Sequence, residues 1–167
     1  IMVTREQGRT TMTRRVDALL NEYGESHQNE TNKMVHWICV PVIVWTVMAL
    51  IYEIPNPGFF SAVPYLSWFT LLLALTLVYY ITLSIPLAIG FAVFGAICWW
   101  IILAVDAAVA MPLWQVALIV FVIAWIGQFW GHKVEGKKPS FFKDVQFLMI
   151  GPAWLMSFLY KKLGIAY

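Results

Sequence analysis

A long segment without a single lysine or arginine, Met34–His132, dominates the sequence. Only two acidic side chains, Glu53 and Asp106, interrupt it, and all 11 basic residues of the chain lie on either side of it. The segment is too long to be the one buried helix of a water-soluble core, so it has to contact lipid. Charged residues make up 12% of the chain, against roughly 25% in soluble domains. The sequence therefore predicts an integral membrane protein.

The hydrophobic pattern predicts one all-α domain over residues 1–167, a polytopic bundle of about four transmembrane helices. A membrane-spanning helix needs about 20 mostly apolar residues, and four such stretches fit between the prolines and polar turns of the segment. An amphipathic pattern precedes them, and a shorter apolar stretch with a Gly-Pro break follows. The predicted elements are an N-terminal surface helix at 11–26, transmembrane helices at 34–52, 64–82, 86–105 and 113–130, and a C-terminal re-entrant or interfacial helix pair at 145–160.

The distribution of basic residues predicts the orientation. Lysine and arginine favour the cytoplasmic side of a membrane, so both termini are expected there, which requires an even number of crossings. The first residues hold no apolar run long enough for a signal peptide, and insertion is expected to rely on the first span. A bacterial inner membrane is favoured, or the endoplasmic reticulum membrane in a eukaryote. The net charge of +2 does not indicate nucleic acid, and lipid headgroups are the expected neighbours of the basic residues.

Three histidines lie near the predicted cytoplasmic boundary. His36 is just inside the first span, His132 is just past the fourth, and His27 precedes the first. Each belongs to a set of polar residues at helical spacing, which places the set on one stripe of a helix. The three sets are Tyr23 with His27, then Asn29 and Asn32 with His36, and Gln128 with His132 and Glu135.

Neutral imidazoles with carboxylate and amide neighbours suit a divalent transition metal such as iron or zinc. Within such a site Glu135 either binds the metal or orients a ligand. Spacing alone leaves two interpretations open: the polar residues contact headgroups and cap helix ends, or the histidines bind a metal. The competing functions are a lipid hydrolase, in which zinc at the histidines activates water with Glu135 as general base, and a non-enzymatic membrane scaffold or transporter.

Two blocks of residues resemble the signature of a known family, the membrane-bound, iron-dependent 2-hydroxy fatty acid dioxygenases, which are linked to phytosphingosine breakdown in fungi. The similarity runs from residue 12 to about 160 and includes the Gly151-Pro152 pair. The two blocks are Tyr23-x3-His27-x4-Asn32-x3-His36-x4-Pro41 and Gln128-Phe129-x2-His132-x2-Glu135-x3-Pro139.

The resemblance implies a function and a site. It implies that His27, His36 and His132 bind Fe(II), and that O2 attacks a 2-hydroxy fatty acid held at the metal, giving a product one carbon shorter. Glu135 joins the histidines as a catalytic residue in this interpretation. The substrate carboxylate is expected at headgroup level, with the acyl tail between the spans. Residues expected to contact the substrate or support the ligands are Tyr23, Asn32 and Gln128, together with Lys33, Lys133 and Lys137 for the carboxylate.

Overall fold

The structure is a computed structural model that describes residues 2–6, 9–136 and 147–167, with side chains from Arg14 onward. Lys137, Pro139 and the start of the predicted stretch at 145–160 lie outside these residues. The described elements are β1 (Met2–Glu6), β2 (Arg9–Thr13), α1 (Arg15–Gly24), α2 (Glu30–Tyr52), α3 (Trp68–Leu83), α4 (Ile85–Ala108), α5 (Leu113–Glu135) and α6 (Ile150–Leu163), with short 3-10 helices at Gly58–Ala62 and Phe147–Met149.

The helices form the predicted all-α bundle. Three of them, α2, α4 and α5, are long and apolar enough to cross a membrane. The predicted second span, α3, is apolar but has only 16 residues, which at 1.5 Å per residue is roughly 24 Å. Large apolar side chains stand exposed along the outer surfaces of these helices, among them Leu75, Val93 and Ile123. Such surfaces are typical of helices that face lipid rather than water.

The N-terminal helix is shorter than the predicted 11–26. Residues Arg9–Thr13 pair with Met2–Glu6 as an antiparallel hairpin, and α1 begins only at Arg15. The threonines in β2 are β-branched and favour extended backbone. The prediction of a helix from residue 11 overlooked this preference. The amphipathic pattern itself is confirmed, because Val16, Leu20 and Tyr23 are the buried residues of α1.

Several helices begin or end at residues other than those predicted, because capping residues set the helix ends. The helix that contains the first span begins at Glu30 rather than 34, because the Asn29 side chain accepts hydrogen bonds from the first free amides of α2. The second begins at Trp68 rather than 64, where Ser67 and Thr70 form a capping box. The third begins at 85 and ends at 108, and the fourth continues to 135, where Gly136 adopts a left-handed conformation (φ 74°).

The predicted C-terminal helix pair is wrong for the described residues. A 3-10 turn at Phe147–Met149 leads into one continuous helix, α6. Gly151 and Pro152 lie in its first turn, where proline is tolerated because the first amides of a helix have no intrahelical partner. The Gly-Pro pair therefore starts a helix rather than breaking one.

The bundle buries two main groups of apolar side chains, one toward each end. The end where α2 begins and α5 finishes is called the near end, and the opposite end is called the far end. At the near end α1 and α6 pack over α3 and α4, through residues such as Leu20, Tyr80 and Trp154. At the far end α2, α4 and α5 meet α3 through residues such as Met48 and Ile102. The near end thus carries two additional helices, which close over the start of α2.

Candidate metal centre

The three predicted histidines converge at the near end. His27 lies in the loop between α1 and α2, His36 on the second turn of α2, and His132 on the last turn of α5. Their exposed fractions are 3%, 1% and 5%, and the nitrogen atoms they offer all lie within 4.8 Å of one another. The long gaps between these residues in the sequence are closed by the antiparallel packing of α5 against α2.

Backbone carbonyls fix the orientation of two of the imidazoles. The Nδ1 atom of His27 lies 2.6 Å from the carbonyl oxygen of Tyr23, and that of His36 lies 2.9 Å from the carbonyl oxygen of Asn32. A carbonyl oxygen only accepts, so Nδ1–H donates in both cases and Nε2 carries the free lone pair. This is the outer hydrogen bond that histidine ligands of metals commonly make.

The residues present fit a metal ion. Among the described residues, Nε2 of His27 is buried and has no hydrogen-bond partner, and a buried polar atom without a partner is costly. Metal–imidazole bonds are about 2.0–2.1 Å long, so nitrogen atoms within 4.8 Å of one another need only small rotations to share one ion. His27, His36 and His132 would hold this ion.

Burial keeps His27 neutral. Desolvation lowers the pKa of His27 to about 4, and the hydrogen bond to Tyr23 and the nearby Glu135 carboxylate oppose this effect only in part. A protonated imidazole cannot bind a metal, so the lowered pKa keeps this ligand competent at pH 7 without any proton release.

Glu135 forms hydrogen bonds that connect the three segments carrying the histidines. Its two carboxylate oxygens accept from the backbone amides of Gln28 and Asn29, both at 2.9 Å, and from Nδ2 of Asn32 at 3.0 Å. Gln28 adjoins His27, and the Asn32 carbonyl orients His36. Glu135 therefore connects the α1–α2 loop and α2 to the helix that carries His132.

Close approach of α2 and α5 depends on two glycines that the sequence analysis did not single out. A Cβ atom at Gly131 would lie 2.6 Å from Oδ1 of Asn32, and one at Gly127 would lie 2.9 Å from Sγ of Cys39. The signal was present, because Gly127-x3-Gly131 in an apolar helix is the small-x3-small pattern of tightly packed membrane helices. The two glycines bring His132 beside His36.

Aromatic rings enclose the histidines. Tyr23 stacks on His27 with ring centroids 4.3 Å apart, and Trp154 of α6 lies 5.2 Å from the same imidazole. Tyr23 was predicted near the site, whereas Trp154 was not. No spacing rule links Trp154 to His27, since α6 reaches the site only through tertiary packing.

A small cavity adjoins His36. Its volume is about 20 Å³, and its walls include Tyr23, His36, Val40, Gln128 and Gly151. A cavity of roughly 10–15 Å³ already accepts one water molecule, so this space suits a water-sized or diatomic molecule. Gln128 is 8% exposed, and its Oε1 has no hydrogen-bond partner among the described residues.

Two of the predicted lysines, Lys33 and Lys133, do not line this cavity. Lys33 forms an ion pair with Glu30 at 3.0 Å, and Lys133 is exposed on α5. Lys137 lies outside the described residues. The described lysines thus lie at the surface of the near end, rather than beside the imidazoles.

Comparison with known proteins identifies the family. A family model described as "2-hydroxy-palmitic acid dioxygenase Mpo1-like" matches residues 13–163, which include all three histidines and both sequence blocks. Neither a curated protein nor a solved structure matches the chain. The match covers most of the sequence, and the chain therefore belongs to the Mpo1-like family of 2-hydroxy-palmitic acid dioxygenases.

Proposed function

We propose that the chain is an Fe(II)-dependent dioxygenase that shortens 2-hydroxy fatty acids by one carbon at the membrane surface. The observation that carries the proposal is the convergence of His27, His36 and His132, three buried imidazoles from separate segments, within 4.8 Å. The family description supplies the substrate class and the use of O2. The three histidines would hold an iron ion through their ring nitrogen atoms.

The reaction balances without an external reductant. A 2-hydroxy acid, RCH(OH)COOH, and O2 give RCOOH, CO2 and H2O. The bond between C1 and C2 breaks, C1 leaves as CO2, and C2 becomes the new carboxyl carbon. The substrate loses four electrons in total, and O2 accepts all four. Bound Fe(II) would supply the redox chemistry that lets O2 react with the acid.

The protein's own residues would orient the reactants and exclude water. The Nδ1–H bonds of His27 and His36 direct their Nε2 atoms inward. Gln128 lines the small cavity, and its buried Oε1 has no partner among the described residues, so this oxygen is free to accept a hydrogen bond from the 2-hydroxyl of the substrate. The stacked ring of Tyr23 and the indole of Trp154 keep bulk water from the imidazoles.

The position of the centre suits an amphiphilic substrate. The histidines lie where α2 begins and α5 ends, beside the basic residues of the near end, and we place this end at the cytoplasmic headgroup level. A fatty acid would enter from the bilayer with its carboxylate already at that depth. Both termini then lie in the cytoplasm, and Glu53 lies 17 residues of helix from His36, roughly 26 Å away.

A zinc-dependent lipid hydrolase is the main competing function. It needs a general base close to the metal, and Glu135 is the carboxylate nearest to the histidines along α5. Because both oxygens of Glu135 accept hydrogen bonds from the α1–α2 loop and Asn32, the carboxylate is engaged in holding segments together. This favours a positioning role for Glu135 over the role of a base.

Oxygen consumption by purified protein tests the proposal. The protein in lipid nanodiscs, loaded anaerobically with Fe(II), is expected to consume one O2 per 2-hydroxypalmitate and to release pentadecanoate, detected by mass spectrometry. Palmitate without the 2-hydroxyl is the matched control and should not react. Turnover with zinc but not iron, or no O2 consumption with any 2-hydroxy acid, would contradict the proposal.

A further inference from the structure

A large apolar groove lies on the lipid-facing side of the bundle, beside the metal centre. It has a volume of about 410 Å³ and runs between α2, α4 and α6. The described residues that line it carry no charge, and the hydroxyl of Tyr160 already donates to the Pro86 carbonyl. Its walls include Trp37, Pro41, Ile89, Val93, Ile97 and Leu155.

The groove adjoins the small cavity at the histidines through one side chain. Val40 lines both spaces and lies one helical turn after His36. Gly151, in the first turn of α6, faces the same point: a Cβ atom there would lie 3.1 Å from Val40 and 3.2 Å from the hydroxyl of Tyr23. Val40 thus forms the partition between the metal centre and the groove.

The length and direction of the groove match an acyl chain in one leaflet. Ile89 and Ile97, both lining residues, are eight residues apart on α4, or roughly 12 Å, and one leaflet of the hydrocarbon core is about 15 Å deep. A second apolar groove of about 340 Å³ shares Pro41 and Ile97 with the first and continues to Val105, toward the far end. The side chains of Ile89, Val93 and Ile97 are each at least half exposed. The groove therefore opens toward the surrounding lipid.

We propose that this groove binds the acyl chain of the 2-hydroxy fatty acid, with C1 and C2 beside Val40 and the methyl end toward Ile97. The inference rests on the proposed function. The volume of the groove lies in the 300–1,000 Å³ range of small-molecule sites, and the apolar walls of the groove offer no group that would bind a polar ligand. Ile97 then sets the chain length that fits the first groove, and longer chains extend into the second.

Photolabelling of the unaltered protein tests the position of the chain. The probe is a 2-hydroxy fatty acid with a diazirine near its methyl end, added to metal-free protein in phosphatidylcholine nanodiscs. Labelling is expected around Ile97 and is expected to fall when 2-hydroxypalmitate is added. Equal labelling of Ile97 and of the lipid-facing Ile123 on α5, or labelling at Ile97 that 2-hydroxypalmitate leaves unchanged, would mean that bulk lipid occupies the groove and would overturn the inference.

Chain-length selectivity gives a second, catalytic test. Ile97→Trp fills the deep part of the groove and is expected to lower kcat/KM for 2-hydroxypalmitate relative to 2-hydroxyoctanoate by roughly tenfold, because the last methylenes lose their buried contacts. Ile123→Trp adds the same bulk to an exposed position on α5 and should leave the ratio unchanged. An unaltered ratio in Ile97→Trp, with the wild-type protein active, refutes the groove alone, whereas an inactive wild-type protein refutes the proposed function.

Discussion

The near end and the far end of the bundle bury different kinds of side chain. The near end encloses the three histidines together with Asn32 and Gln128, all less than 9% exposed. The far end buries an apolar group around Met48 and Ile102, and its acidic residues, Glu53 and Asp106, are exposed. Buried polar groups without partners lower stability. The difference indicates that the near end is organised around a ligand and the far end around packing.

Removal of one imidazole should produce the largest effect. In His36→Ala and in His132→Ala, turnover of 2-hydroxypalmitate is expected to fall by at least about 100-fold. Loss of a ligand weakens metal binding more than loss of an outer hydrogen bond does. The measurement is product formation by mass spectrometry.

The matched variant at a buried polar position farther along α2 is Thr46→Val, which loses only the bond from its hydroxyl to the Ile43 carbonyl. Near-normal turnover is expected there. If Thr46→Val were as inactive as His36→Ala, the functional contrast between the two ends would disappear.

Widening the contact between α2 and α5 should have the next largest effect. In Gly131→Ala the new methyl group would overlap Asn32 and push His132 away from His36. The free energy of unfolding is expected to fall by about 1–3 kcal/mol, and iron occupancy is expected to fall with it. Gly58→Ala adds a methyl group into open space and serves as the control. Equal iron occupancy in both variants would argue against the role of Gly131.

Neutralising Glu135 should have a moderate effect. Glu135→Gln keeps the shape but replaces one acceptor oxygen with an NH2 group that cannot accept from Gln28 or Asn29. The free energy of unfolding is expected to fall by about 1–2 kcal/mol, measured by denaturant titration of metal-free protein. Iron affinity is expected to fall roughly tenfold, measured by titrating metal-free protein with Fe(II). Glu53→Gln, at the exposed end of α2, should change neither. Unchanged iron affinity in Glu135→Gln would refute the positioning role.

Acidification should lower the stability of the metal-free protein. His27 has a pKa of about 4 in the folded protein and about 6.5 when unfolded. Between these values the unfolded chain binds a proton that the folded protein does not, so stability falls as pH drops from 6.5 to 4. Metal-free protein should lose roughly 5–10 °C in Tm over this range. The matched His27→Gln variant should show a shallower slope; an identical slope would contradict the assignment to His27.

The sequence was sufficient to predict the all-α membrane bundle and the residues that meet at its near end, because hydrophobic length and helical spacing are local properties. Residues whose role depends on tertiary packing were missed. Trp154 reaches His27 only because α6 folds back over α1, and Gly151 is placed against Val40 by the same packing. The hairpin at Met2–Glu6 and Arg9–Thr13 was overlooked because amphipathic spacing farther along the chain favoured a helix.

Elemental analysis tests the central claim, that three distant imidazoles form one metal site, most directly. Wild-type protein reconstituted anaerobically with Fe(II) and freed of excess metal is predicted to retain one iron per chain. His27→Ala, His36→Ala and His132→Ala, each folded by circular dichroism, are predicted to retain almost none, whereas Thr46→Val retains it fully. Full retention of iron in any of the three histidine variants, or no retained iron in the wild-type protein, would contradict the account.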